Sequence, residues 1–350
     1  METIRWTVDI NVEKSEGYPQ ISEAADYLRH GHVVAFPTET VYGLGADATS
    51  DTAVQGIFDA KGRPSDNPLI VHISNPESLD ELVSSISNDA TQLIQTFWPG
   101  PLTIIFNKKN GVFSDLVTAG LDTIGIRMPS HPVALELITR SGKPLAAPSA
   151  NTSGKPSPTS AAHVARDLTG RIKGIVDGGE TGVGLESTVI DCTVTPPMIL
   201  RPGGVSAEEI EACIGQVLVD PSLKKEQSVP RSPGMKYTHY APTAPLYLIK
   251  GEAEWIQQTI NRFKGEGKKV GLLASEELAA QLTADIVEVC GRRKDPATIA
   301  RGLYHAIRSF NDTDADIILA EAFDEKGIGA AIMNRLEKAA GHKWIKESSS

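Results

Sequence analysis

Two cations flank a single glycine in the run Asp59-Ala60-Lys61-Gly62-Arg63-Pro64-Ser65-Asp66-Asn67-Pro68-Leu69. Far along the chain, Ser149 and Asn151 stand in Ala147-Pro148-Ser149-Ala150-Asn151-Thr152-Ser153-Gly154. Lys61 with Arg63, and Ser149 with Asn151, are what a bound anion needs: charge in one loop and a short polar fork in another. Residues two apart diverge on a helix, so both cations reach one anion only if Gly62 ends the helix and turns the chain. The plainer reading is a pair of cations complementing a helix C-terminus. The motif alone leaves both readings open.

Arg127 and Arg201 each end an apolar strand and are followed closely by proline. A guanidinium fixed there by packing suits a bidentate carboxylate or phosphate contact, and suits a structural ion pair equally well. Four cations at strand-end loops in an acidic chain favour an anionic ligand. Thr38, Thr40, Ser149, Asn151, Ser153, Ser157 and Ser187 also follow strand ends, where such side chains either form turns or cradle ligands. The chain has no GxxxxGK[ST], and Gly43-Leu44-Gly45, Gly182-Val183-Gly184 and Gly327-Ile328-Gly329 each lack the third glycine of a dinucleotide fingerprint. No GxSxG or SxxK marks an acyl-serine enzyme. What remains is anion handling by position and charge, as phosphoryl and nucleotidyl transfer require.

Composition bounds the partners. Forty-four acidic residues against 34 basic ones give a net charge of −10, which disfavours broad electrostatic binding of nucleic acid. An RNA-binding accessory role without catalysis is therefore the weaker alternative. Cys192, Cys213 and Cys290 are too scattered for a disulfide framework or a CxxC metal site. The first residues lack a basic region followed by an apolar core, so a cytoplasmic location is expected. At 350 residues, two domains are expected.

The elements that must position these residues follow from periodicity. Strands are expected over 4–12, 33–36, 69–73, 102–106, 123–127, 145–147, 175–177, 187–191 and 198–201, and helices over 20–31, 51–60, 77–83, 88–97 and 132–141. Asp51 reads as an N-cap, Gly62 as a C-cap, and 37–45 as a loop. Strands outnumber helices and their connections are mixed, which points to a twisted, partly antiparallel α/β sheet. The polar stretch 221–230 and the Pro-Gly-headed 232–242 read as a linker. Beyond it, strands near 246–249, 269–273, 286–289 and 317–320 alternate with helices over 253–263, 275–282, 297–310 and 329–340. That alternation implies a small parallel, Rossmann-like domain.

Taken in order, Pro37-Thr38-Glu39-Thr40-Val41-Tyr42-Gly43-Leu44, Lys61-Gly62-Arg63-Pro64, Trp98-Pro99-Gly100-Pro101-Leu102-Thr103, Arg127-Met128-Pro129, Pro148-Ser149-Ala150-Asn151 and Glu186-Ser187-Thr188-Val189-Ile190-Asp191 resemble the YrdC-like family. The linker and second domain resemble its longer, two-domain members. The resemblance implies a catalytic domain over 1–218 with a large concave basic cavity, a linker or lid over 219–243 and a Rossmann-like domain over 244–346. It also implies condensation of L-threonine, bicarbonate and ATP to threonylcarbamoyl-AMP, with Mg²⁺ carried by ATP. The product would feed a separate tRNA threonylcarbamoyl-transfer complex. By that likeness Thr40, His72, Arg127, Ala147 and Ser187 would hold threonine. Lys61, Arg63, Asn67, Thr123, Ser149, Asn151, Ser157, Arg201, Tyr237 and His239 would surround the nucleotide, with Lys61 and Arg63 as electrostatic catalysts. Lys236, Tyr237 and His239 would close the cavity.

Overall fold

A computed structural model describes residues 2–9, 18–224 and 240–347. Two compact units divide the chain: Met1–Ser153, Ser157–Gly182 and Glu186–Lys236 form the first, and Gly154–Pro156, Val183–Leu185 and Tyr237–Ser350 the second. The expected linker lies largely outside the described residues. Among those described, no helix is long and apolar enough to cross a membrane.

Among the described residues the first unit carries eleven strands: β1 (Ile4–Thr7), β2 (Val34–Phe36), β3 (Gly43–Asp47), β4 (Ile70–His72), β5 (Leu102–Asn107), β6 (Thr123–Arg127), β7 (Leu145–Ala146), β8 (Gly174–Asp177), β9 (Thr188–Asp191), β10 (Met198–Arg201) and β11 (Leu218–Val219). They form one sheet in the order β1-β8-β2-β3-β7-β4-β6-β5-β9-β10-β11. Pairs such as β4·β6 and β5·β9 run parallel, while β2·β3, β4·β7 and β5·β6 run antiparallel. The mixed α/β sheet agrees with the sequence expectation.

Alternation within these strands makes the floor of the site. Val71, Leu102, Ile104, Phe106, Ile124, Ile126 and Ile190 face the main core with the helices Asp51–Lys61, Asn88–Phe97 and Ala161–Leu168. Side chains on a strand alternate between faces. The opposite face therefore presents Ile70 and His72, Thr103 and Ile105, Thr123, Gly125 and Arg127, and Val189. On it, Ile70, Ile105, Val189 and Leu200 form a small apolar cluster of their own. Arg201 would follow Ile199 into the main core by strict alternation. The register shift between them instead sets Arg201 opposite Val189. A β-bulge re-aims a side chain in this way.

Three local expectations are corrected. Residues 43–47 are a fully buried strand; the glycines that suggested a loop are there because β3 lies against Phe36, whose ring a Cβ on Gly45 would meet at 2.7 Å. Ser50, not Asp51, is the N-cap of the Asp51–Lys61 helix and accepts from the Ala53 amide. Residues 77–83 form a 3₁₀ turn followed by the single-turn helix Leu79–Leu82. Gly62 does close its helix in the left-handed region, at φ 64°, where a Cβ is disfavoured.

Among the described residues the second unit holds five strands, β12 (Leu246–Lys250), β13 (Val270–Ser275), β14 (Ile286–Gly291), β15 (Ile317–Glu321) and β16 (Trp344–Lys346), in the order β14-β13-β15-β12-β16. Every pairing is parallel, as strand–helix alternation requires. The helix expected over 275–282 is only Glu276–Ala279, capped by Ser275.

Candidate active site

Sheet order, not sequence order, assembles the site. Parallel pairing of β4 with β6 sets His72 beside Arg127, and antiparallel pairing of β4 with β7 sets it beside Leu145. The Ala147 amide bonds the Ile70 carbonyl at 2.9 Å. Above this floor the chain at Thr38-Glu39-Thr40 wraps the Arg127 guanidinium. Nη1 donates to Thr40 Oγ1 at 2.8 Å, Nε to the Gly100 carbonyl at 3.2 Å, and Nη2 lies 2.5 Å from Glu39 Oε1. Thr40 is held in turn by Thr38 Oγ1 at 2.8 Å. Both open readings of Arg127 bear on this geometry, because the side chain suited to a carboxylate already has one in the protein.

A second cluster joins the two motifs that are 88 residues apart. Lys61 Nζ donates to the carbonyls of Ser149 at 2.5 Å and Asn151 at 2.7 Å. The Ser149–Asn151 segment is itself fixed by the Leu44 amide on Pro148 O and the Ala150 amide on Tyr42 O. Lys61 is 3% exposed. Burial, reinforced by the Arg63 charge and opposed by Asp167, pulls its ammonium well below the ordinary lysine range. Arg63 lies over the Phe58 ring, 5.3 Å from its centroid.

Ser187 ties a third set together. Its carbonyl accepts from Arg201 Nε at 3.2 Å and Nη2 at 3.0 Å, and its hydroxyl lies 2.7 Å from Thr103 Oγ1. The loop after Arg201 rests on this segment so closely that a Cβ at Gly203 would lie 2.3 Å from the Ser187 carbonyl carbon and the Thr188 amide nitrogen. Only glycine allows that approach. Ser157 donates to Glu186 Oε1 at 2.5 Å. Asn67 Oδ1 and His72 Nδ1 are buried without a hydrogen-bond partner. Leaving such atoms unsatisfied costs roughly 1–3 kcal/mol each, a cost that a ligand reaching them removes.

Thr40, His72, Arg127 and Ala147 thus share one neighbourhood, and Lys61, Ser149 and Asn151 another. Ser187 bonds Arg201, whereas the family resemblance places the two in different ligand sets. Thr123 stands at the far end of β6 from Arg127 and lines a small cavity with Ile70, Thr103, Ile105 and Val189. Lys236, Tyr237 and His239 lie outside the described residues. Glu39, Thr103 and Glu186 each sit inside one of the family-like motifs, but residue type alone does not mark them individually. Their signal was present, but only packing reveals which cation or hydroxyl each one meets.

His72 is the clearest electrostatic case. Burial, then the Arg127 charge, pulls its imidazole down to about 3. It is therefore neutral at any assay pH near 7 and does not repel Arg127. The folded state binds its proton less readily than the unfolded state, so its stabilising contribution is complete above about 6.5 and fades as pH falls toward 3. In urea unfolding, wild type should lose more stability than His72→Gln between pH 7 and pH 4. Equal losses would show that His72 is not buried neutral.

Comparison with known proteins decides the family. Residues 26–203 match the Sua5_yciO_yrdC family model, described as telomere recombination. Residues 205–341 match that of the threonylcarbamoyl-AMP synthase C-terminal domain. The chain belongs to the Sua5/YciO/YrdC family. This Sua5-type chain is 56% identical to the threonylcarbamoyl-AMP synthase of Bacillus subtilis (strain 168), over 99% of its own length and 100% of the relative's. It is 50% identical to the Pyrococcus abyssi (strain GE5 / Orsay) threonylcarbamoyl-AMP synthase, over 97% and 99%. Among solved structures, P. abyssi Sua5 complexed with L-threonine superimposes with a TM-score of 0.92 at 48% identity, covering 99% of this chain and all of that one.

Proposed function

We propose that this chain is a threonylcarbamoyl-AMP synthase, condensing L-threonine, bicarbonate and ATP with release of pyrophosphate. The observation that carries the reading is the meeting of Lys61, Ser149 and Asn151 beside a sheet face bearing Arg127, His72 and Ser187. This is a cationic, hydroxyl-rich surface without an activated protein nucleophile, in a chain alike over its full length to synthases of that name. The nucleophile comes from the substrate. The threonine amine takes up bicarbonate, with loss of water, to give N-carboxythreonine. An oxygen of the new carboxylate then attacks the α-phosphorus of ATP, and the α–β phosphoanhydride bond breaks to release pyrophosphate. Mg²⁺ enters with ATP as part of that substrate.

Arg127 anchors the threonine carboxylate, with Thr40, His72, Ala147 and Ser187 around the amino acid. Lys61 and Arg63 stabilise the charge that builds on the phosphoryl oxygens. Asn67, Ser149, Asn151, Ser157 and Arg201 shape the rest of the nucleotide site, with Thr123 at its margin. Lys61 Nζ donates to two carbonyls, and the third N–H of an ammonium is left for an incoming phosphate, whose charge favours the protonated form against burial. The product then serves a separate tRNA threonylcarbamoyl-transfer complex. The test is pyrophosphate release from ATP and bicarbonate with and without L-threonine. Release should depend on threonine, and release at the same rate without it would sink the assignment.

A further inference from the structure

Arg127 is almost completely buried, and each of its three guanidinium nitrogens faces a group of the protein. Nε bonds the Gly100 carbonyl, Nη1 bonds Thr40 Oγ1, and Nη2 faces Glu39 Oε1 at 2.5 Å. The three contacts are not alike. The first two are directed hydrogen bonds to groups fixed by the fold. The third brings the charges together, yet neither Nη2 nor Oε1 makes a properly directed hydrogen bond. Glu39 is held separately through its other oxygen, which accepts from the Ser130 amide at 3.2 Å. It is also the more exposed partner, at 13% of its side chain against 4% for Arg127.

We infer that Glu39 holds the place of the substrate's carboxylate on Arg127, and that L-threonine binding exchanges one carboxylate for the other. This rests on the reading of Arg127 as the threonine carboxylate anchor. A buried guanidinium without a counter-ion is strongly unfavourable, so the free protein supplies a carboxylate of its own. That carboxylate is attached where it can leave, because the Ser130 amide retains one oxygen while Oε1 moves off Nη2. The exchange conserves charge on the guanidinium: a carboxylate leaves it and a carboxylate arrives. The remaining contacts, to Gly100 and Thr40, stay in place and keep Nη1 and Nη2 oriented for the incoming group. Glu39 therefore sets threonine affinity by competition and selects for ligands able to displace it.

The consequence runs opposite to that of a simple structural pair. Glu39→Gln keeps the size and the Ser130 contact but removes the competing charge, so the KM for L-threonine should fall roughly three- to tenfold with the KM for ATP unchanged. A KM for threonine that is unchanged or raised overturns the inference and makes Glu39 a scaffold for Arg127. If Glu39→Gln loses turnover, direct titration with L-threonine by calorimetry reads the same quantity: tighter binding supports the exchange, and equal or weaker binding overturns it. If that variant does not fold, Glu39→Asp is measured instead. Its shorter carboxylate reaches Nη2 less well and should also lower the KM. L-Threoninamide, tested as a competitor on wild type, distinguishes loss of the exchange from loss of the carboxylate anchor. If the amide competes as well as L-threonine, the carboxylate reading of Arg127 is itself wrong, and the exchange inference falls with it.

Discussion

Lys61→Met should lower turnover by about 10²- to 10³-fold while leaving the fold intact, the loss expected when a preorganised charge at a reacting group is removed. Two opposing effects keep the stability change small. The substitution leaves the carbonyls of Ser149 and Asn151 without their buried donor, at about 1–3 kcal/mol per unsatisfied group. It also removes an ammonium whose burial is unfavourable enough to pull it well below the lysine range. A net change within about 2 kcal/mol is therefore expected, checked by urea unfolding beside pyrophosphate-release kinetics. Lys61→Arg should not rescue the rate, because a planar guanidinium does not replace a compact ammonium set between two carbonyls. Arg63→Ala should be the milder change, since its side chain rests over Phe58 rather than in the carbonyl clamp. Wild-type turnover in either Lys61→Met or Arg63→Ala would remove that residue from the mechanism.

The second large effect belongs to Arg127. Arg127→Gln should raise the KM for L-threonine about 100-fold, the order expected when one partner of a desolvated charge pair at a binding site is lost. It should also destabilise the protein, because the half-buried Glu39 loses its counter-ion. The double variant Arg127→Gln/Glu39→Gln separates the two effects. Stability should largely return, since no uncompensated charge remains, whereas threonine affinity should not. Recovery of both together would mean that Arg127 is a structural residue and does not touch the substrate.

Much of the fold and several site residues were legible along the chain. Short apolar runs located most strands of the first unit, and strand–helix alternation marked the second as a parallel sheet, because a parallel connection needs a crossover. Gly62 could be read as a left-handed helix terminus because the residue after a helix is where lack of a Cβ matters most. Lys61, Arg63, Ser149 and Asn151 could be named, since few residue types meet an anion. What the tertiary structure alone decided was adjacency. Pairing of β7 with both β3 and β4 joins segments about 100 and about 75 residues apart, and no local pattern encodes it. That pairing helps to frame His72 and Arg127, and the bulge before Arg201 turns a residue that alternation assigns to the core into a partner of Ser187. The Glu39–Arg127 pair was hidden for the same reason. Residue type limits what a side chain can bind, but long-range register decides which charge faces it, and at Arg127 that charge is a carboxylate of the protein itself.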